Sequence, residues 1–94
     1  MNFSTPTLVI NKTISLNNLG RMIDVAKKNN LVLRPHFKTH QSIEVGNWFK
    51  EKGITSITVS SISMAEFFSS EWNDITIAFP LNILEIDKLN LMIR

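Results

Sequence analysis

The sequence has no cysteine and no tyrosine, and only three glycines and three prolines among its 94 residues. Without cysteine there is no disulfide bond, no thiolate metal site and no thiol nucleophile. The glycines, at positions 20, 46 and 53, form no phosphate-binding loop. No apolar run could span a membrane, and the N-terminus MNFSTPTLVINK lacks the features of a signal peptide. We therefore expect a cytoplasmic protein without a membrane partner.

The charged residues are few and scattered. The formal net charge is +2, with 19% charged and 44% hydrophobic residues, as in ordinary globular proteins. Because the lysines do not gather into a basic stripe, we expect no nucleic-acid partner.

Four short runs are rich in β-branched and aromatic residues, as is typical of strands. They lie at residues 7–10, 31–37, 54–60 and 74–79. Helical patterns lie between them, and their predicted first residues or caps are Ser15, Thr39 or Ser42, Ser63 and Asn82. Two of these helices are predicted to end at Asn29 or Asn30 and at Gly53. Strands that alternate with helices at this spacing indicate βαβ units and a parallel sheet.

The predicted strands are too few to form a closed sheet. Three parallel strands leave long unpaired edges, and a (β/α)8 barrel needs roughly 250 residues. The pattern therefore predicts the N-terminal piece of a longer chain, with a small three-layer domain as the alternative.

The segment RPHFKTH places several basic side chains at the end of a predicted strand. Pro35 disfavours a helix here, and strand alternation puts Arg34, His36 and Lys38 on one face and Phe37 on the other. We expect the basic face to point inward, where Lys38 at the strand end could act as a nucleophilic amine. The alternative is that Lys38 is a solvated loop charge.

Other polar residues have competing interpretations. Ser60 ends a strand at the same edge as Lys38 and is either a site contact or part of a helix start. Glu66 lies three residues after Ser63, the spacing of a capping box, so we assign it a structural role. His36 and His40 have the spacing of a helical zinc pair, but an extended backbone removes that geometry.

Four segments together carry a family resemblance: TPTLVINKTISLNNLGRM, LRPHFKTHQS, GITSITVSSISMAEF and DITIAFP. They resemble the N-terminal part of the D-threonine aldolase and D-serine dehydratase group of alanine-racemase-like, fold-type III pyridoxal-phosphate enzymes. The lysine of the family's RPHxKTH motif forms the Schiff base with the cofactor. The resemblance thus implies that Lys38 is catalytic and cofactor-binding, with His36, Arg34 and Ser60 as further candidate cofactor contacts. Gln41 departs from the family, which often has lysine there.

The resemblance also implies a fold. Residues 12–94 would be the N-terminal portion of a pyridoxal-phosphate-binding (β/α)8 TIM barrel, with three parallel strands alternating with helices. Residues 1–11 would form a leading strand that packs with a C-terminal β domain.

The implied function is a lyase that acts on D-amino acids, either a D-threonine aldolase-type C–C lyase or a D-serine dehydratase. The alternatives are a racemase of the same fold and a non-catalytic pyridoxal-phosphate-binding protein. A divalent metal, manganese or zinc, is expected in the full-length protein, with its ligands outside these residues, and the full-length protein is expected to be a homodimer. The resemblance leaves open whether the 94 residues alone are active.

Overall fold

The computed structural model of the chain describes residues 4–80 and 83–93. The elements are α1 (Lys12–Lys28), α2 (Ile43–Glu51), β1 (Ser56–Val59), α3 (Ile62–Phe68), β2 (Asp74–Ile77) and α4 (Ile86–Ile93). From α2 onward helices alternate with strands, as the spacing of the sequence patterns predicts. Single turns of 3₁₀ helix lie at Phe37–Thr39 and Ile83–Glu85.

The two strands form a parallel sheet with α3 in the connection between them. Ser56 pairs with Asp74 at one end of the ladder and Val59 with Ile77 at the other. Parallel neighbours need a crossover connection, which α3 supplies. The parallel βαβ arrangement predicted from the sequence is therefore confirmed for this pair of strands.

Of the three barrel strands predicted, the described residues form two as regular strands, and the leading strand stays a prediction. Residues 31–37 contribute one parallel bridge, between His36 and Thr58, and one bond from the Thr58 N–H to the Pro35 carbonyl at 2.8 Å. Pro35 has no N–H to donate, so it cannot extend a ladder. Residues 7–10 belong to none of the strands that the described residues form, and Leu8 is exposed. Extended sequence becomes a strand only where a neighbour supplies hydrogen bonds, and within the described residues these segments have little or none.

Helix α1 begins earlier than predicted. Asn11 is its N-cap and accepts a hydrogen bond from the Ile14 N–H at 3.0 Å. Ser15, the predicted cap, lies within the helix and donates its hydroxyl to the Asn11 carbonyl at 2.8 Å. Asparagine and serine are comparable N-caps, so the composition alone did not separate the two positions. The predicted end is confirmed, because Asn29 is the C-cap.

The second helix has the predicted boundaries, whereas the third has a different cap. Ser42 caps α2, and Gly53 follows that helix with a φ of +93°, a conformation that glycine adopts readily. Helix α3 is capped by Ser61, which accepts from the Met64 N–H at 3.1 Å. The predicted Ser63 capping box is therefore wrong.

Glu66, the predicted partner in that capping box, has another role. Its carboxylate pairs with the Lys88 ammonium of α4 at 2.9 Å, which ties α3 to α4. The predicted cap of the fourth helix, Asn82, lies outside the described residues.

The core lies between the sheet and the helices that follow the Lys38 segment. Its fully buried large side chains are Phe37, Ile57, Val59 and Phe68. Among the aromatic residues of α2 and α3, Phe68 is buried in this core and Phe49 packs against the core, whereas Phe67 is 52% exposed. None of the described helices is long and apolar enough to cross a membrane.

Candidate functional site

The sheet has one apolar face and one polar face. Residues paired in a parallel ladder share a face, so Ile57 and Ile75 lie on the core side and Thr58 and Thr76 on the other. The bridge between His36 and Thr58 places His36 on the polar face as well. Phe37, the next residue, is fully buried on the core side. The structure thus agrees with the sidedness predicted from alternation for these two neighbours.

Lys38 lies beyond the extended segment, on the 3₁₀ turn Phe37–Thr39. The predicted strand covers residues 31–37, and its alternation, continued by one residue, predicts Lys38 on the same face as Arg34 and His36. In the structure the extended backbone ends at His36, and the turn, not strand alternation, positions Lys38. The lysine is exposed at the edge where β1 and β2 have their carboxyl ends. In parallel α/β folds, ligand sites form at this edge.

Side chains bind both polar backbone groups of Lys38. The His36 Nδ1 accepts a hydrogen bond from the Lys38 N–H at 3.1 Å. The Gln41 side-chain amide donates to the Lys38 carbonyl at 3.3 Å. Gln41 has a φ of +47°, and its own N–H donates to the Phe37 carbonyl at 3.1 Å, which closes the turn. The lysine is therefore on a short turn whose backbone is fixed from both sides.

An aromatic cluster anchors this turn to the helices. The Phe37 ring lies 5.2 Å from the Phe49 ring, 5.1 Å from the Phe68 ring and 5.2 Å from the Trp72 ring, all edge to face. Such geometry is favourable for aromatic pairs. Phe37, which immediately precedes Lys38, is thus held in place by this cluster.

Ser60 also lies at the carboxyl edge of the sheet. Its hydroxyl donates to the Met64 sulfur at 3.2 Å. Ser60 lines a cavity of about 350 Å³, together with residues that follow β2, including Phe79 and Pro80. A sulfur is a weak acceptor, so the Ser60 hydroxyl can exchange this bond for one to a bound polar group.

Arg34 lies at the other end of the sheet. Its guanidinium pairs with the Asp74 carboxylate at 2.8 Å and donates to the Ile57 carbonyl at 3.1 Å. Asp74 begins β2 and is paired with Ser56, the first residue of β1. Arg34 therefore joins three segments at the amino ends of the strands, and its role as a cofactor contact stays a prediction.

His40 belongs to the aromatic cluster. Its ring stacks on Phe49 at 5.4 Å and meets Phe37 edge to face at 4.5 Å. Burial lowers the pKa of His40, because the charged imidazolium is poorly solvated there. No group of three or more histidine, cysteine or carboxylate residues suited to a metal ion occurs in residues 4–80 and 83–93.

Two contacts of the site were missed in the sequence. The sequence pattern indicates only a strand for Asp74, and for Gln41 only a departure from the family pattern. The available signal for the Arg34–Asp74 pair is an acidic residue at the start of one predicted strand and an arginine in the middle of another. No sequence signal gives the positive φ of Gln41.

The fold and the site together define a βα unit with a lysine-bearing turn at the carboxyl ends of parallel strands. No protein-family model matches the chain. It is 35% identical over 106 residues to a D-serine dehydratase from Dictyostelium discoideum, an alignment that covers 97% of this chain and 27% of that protein. It is 34% identical over 82 residues to a D-threo-3-hydroxyaspartate dehydratase from a Delftia species, covering 86% of this chain and 22% of that protein.

A solved structure agrees with these sequence matches. A variant of D-threo-3-hydroxyaspartate dehydratase superposes with a TM-score of 0.87 at 30% identity, over 96% of this chain and 23% of that one. The chain is therefore similar to a part of these D-amino-acid dehydratases, in agreement with the resemblance of its sequence motifs. It spans about a quarter of the length of the relatives that it matches, consistent with an N-terminal part of such a protein.

Proposed function

We propose that the protein containing this chain is a pyridoxal-phosphate-dependent dehydratase of β-hydroxy D-amino acids, with the cofactor held as a Schiff base on Lys38. The observation that carries the proposal is the exposed Lys38 on a fixed turn at the carboxyl edge of a parallel sheet. The two curated relatives support the reaction class, because each is named as a dehydratase.

The residues at the carboxyl edge fit such a cofactor. Lys38 supplies a primary amine, and in residues 4–80 and 83–93 its ammonium forms no ion pair, whereas Arg34, Lys50 and Lys88 each have a carboxylate partner. An amine without a carboxylate partner is available for covalent attachment of an aldehyde. Ser60 adds a hydroxyl beside a cavity at the same edge.

The bound cofactor would supply an electron sink that makes the Cα proton of an attached amino acid acidic. Lys38 has two functions in this proposal. Its Nζ would hold the cofactor, and the same amine, when free, would take the Cα proton as general base. The fixed Lys38 backbone limits the positions that Nζ can reach, which favours both functions.

The names of the relatives also indicate the substrate class. D-serine and D-threo-3-hydroxyaspartate share a D-configured Cα and a β-hydroxyl group. Loss of the Cα proton and of the β-hydroxyl from D-serine, together one water, leaves 2-aminoacrylate. Its imine tautomer then takes up one water and gives pyruvate and ammonia. We therefore propose β-elimination, not the aldolase cleavage that the family resemblance also allowed, as the reaction of this protein.

Assays of the full-length protein that contains this chain, with a panel of substrates, test this proposal. With D-serine and D-threo-3-hydroxyaspartate we expect release of ammonia and a 2-oxo acid, and the Lys38→Ala variant is expected to lose this activity by at least about a hundredfold. Glycine and acetaldehyde from D-threonine would instead establish an aldolase, and L-serine from D-serine a racemase. Cofactor binding without turnover would indicate the non-catalytic alternative.

Further properties of the whole protein stay predictions. Metal dependence is tested by repeating the panel after chelation and after adding manganese or zinc. The expected homodimer is tested by light scattering, and the cytoplasmic location by fractionation.

A further inference from the structure

The N–H of Lys38 lies at the start of a helical turn, where backbone donors lack partners within the helix. His36 is the N-cap of this turn, with extended dihedral angles of −91° and 122°, and its Nδ1 accepts the Lys38 N–H. Asparagine, aspartate and serine are the usual residues at such a position, and histidine is not among them. In the structure, His36 therefore does the work of an asparagine side chain.

The capping bond also determines the tautomer of His36. A neutral imidazole that accepts a hydrogen bond at Nδ1 carries its hydrogen on Nε2. The two nitrogens thus have separate functions: Nδ1 binds the Lys38 backbone, and Nε2 is a donor on the polar face of the sheet. A role in positioning Lys38 depends on Nδ1, whereas a direct contact with cofactor or substrate depends on Nε2.

We propose that His36 is a positioning residue for Lys38, acting through the Nδ1 capping bond and not through contact with the cofactor. This inference rests on the proposed function of Lys38. Three observations support it. The bond joins adjacent parts of one turn, and Gln41 binds the Lys38 carbonyl from the opposite side. Phe37, the residue between His36 and Lys38, is buried and therefore held in place.

A matched pair of substitutions separates the two nitrogens. In His36→Asn the side-chain oxygen lies near the position of Nδ1 and can still cap the turn. In His36→Gln the longer amide reaches the position of Nε2 and is poorly placed to cap. The measurement is the rate at which pyridoxal phosphate modifies Lys38 in the full-length protein, trapped with borohydride and located by peptide mass mapping. Hydrogen exchange of the Lys38 amide measures the cap itself, without the cofactor.

In His36→Asn we expect pyridoxal phosphate to modify Lys38 at a rate within about twofold of the wild-type rate. In His36→Gln we expect this rate to be about three- to tenfold lower and the Lys38 amide hydrogen to exchange faster. Circular dichroism controls for loss of the fold. A modification rate near the wild-type rate in His36→Gln, together with a slow rate in His36→Asn, would overturn the inference in favour of a direct Nε2 contact. Equal behaviour of the two variants, fast or slow, would also overturn it. Wild-type protein that is not modified at Lys38 would instead overturn the proposed function, and the inference with it.

Discussion

A methyl group added at Gly46 tests how firmly the turn that carries Lys38 is anchored. Gly46 is buried in α2, and a Cβ built there would lie 3.0 Å from Cε2 of Phe37 and 3.7 Å from Nε1 of Trp72. Such a contact is too short unless the Phe37 ring moves. That ring is fully buried and is surrounded by the rings of His40, Phe49, Phe68 and Trp72, so it has little room to move.

The expected free energy follows from two opposing effects. Replacing glycine by alanine within a helix stabilises by about 0.5–1 kcal/mol. Overpacking a rigid core costs about 1–3 kcal/mol. For Gly46→Ala we therefore expect a net loss of about 1 kcal/mol in the free energy of unfolding, within limits of about 0 and 2.5 kcal/mol. Gly20 provides the matched control, because it also lies within a helix but a Cβ there meets nothing within 4 Å.

Urea unfolding of the full-length protein, followed by circular dichroism, measures both variants. We expect Gly20→Ala to raise the unfolding midpoint and Gly46→Ala to lower it. Adding Phe37→Leu should relieve the short contact, so that the two changes are not additive. A Gly46→Ala variant at least as stable as wild type would refute the reasoning, because it would show that the Phe37 ring yields and does not fix the turn.

Two further predictions concern the charged and titratable side chains around the site. Asp74→Asn removes a partly exposed ion pair and should destabilise the protein by about 0–1 kcal/mol. Arg34→Met also loses the hydrogen bond to the Ile57 carbonyl and should destabilise it by about 1–2 kcal/mol. Urea unfolding measures both losses, and equal losses would contradict the role of that carbonyl bond. Because burial lowers the pKa of His40, the unfolded chain binds its proton more tightly, so this contribution to stability is complete above about pH 6.5 and falls as the pH decreases below it. His40→Phe should reduce the difference between the urea midpoints at pH 7.5 and 5.5, and an unchanged difference would contradict this assignment.

The sequence predicted the parts of the fold that depend on local periodicity. The apolar pattern gave the helices and the parallel pair β1 and β2, and Ser42 and Gly53 marked the limits of α2. The choice between Asn11 and Ser15 as caps was not determined, because both side chains suit the position. Residues 31–37 form one bridge where a strand was predicted, because Pro35 has no N–H to donate to a neighbouring strand. A strand also needs neighbours that supply hydrogen bonds, and composition does not reveal these.

The sequence predicted on which face of the sheet the residues next to Lys38 lie, but not the turn and the hydrogen bonds that hold Lys38. Alternation correctly placed Phe37 on the core side and His36 on the polar side. It could not show that the chain leaves the extended conformation at His36, because the turn depends on a histidine in an unusual capping role. The contact between Gln41 and the Lys38 carbonyl depends on a positive φ at Gln41, which the sequence pattern does not indicate.

The central claim is that Lys38 is the residue that attaches pyridoxal phosphate. The most direct test is to incubate the full-length protein with pyridoxal phosphate, reduce with borohydride and map the modified peptide by mass spectrometry. We predict a single reduced adduct on Lys38, accompanied by visible absorbance before reduction and absent from the Lys38→Ala variant. An unmodified Lys38, or an adduct distributed over exposed lysines such as Lys27 and Lys52, would contradict the account.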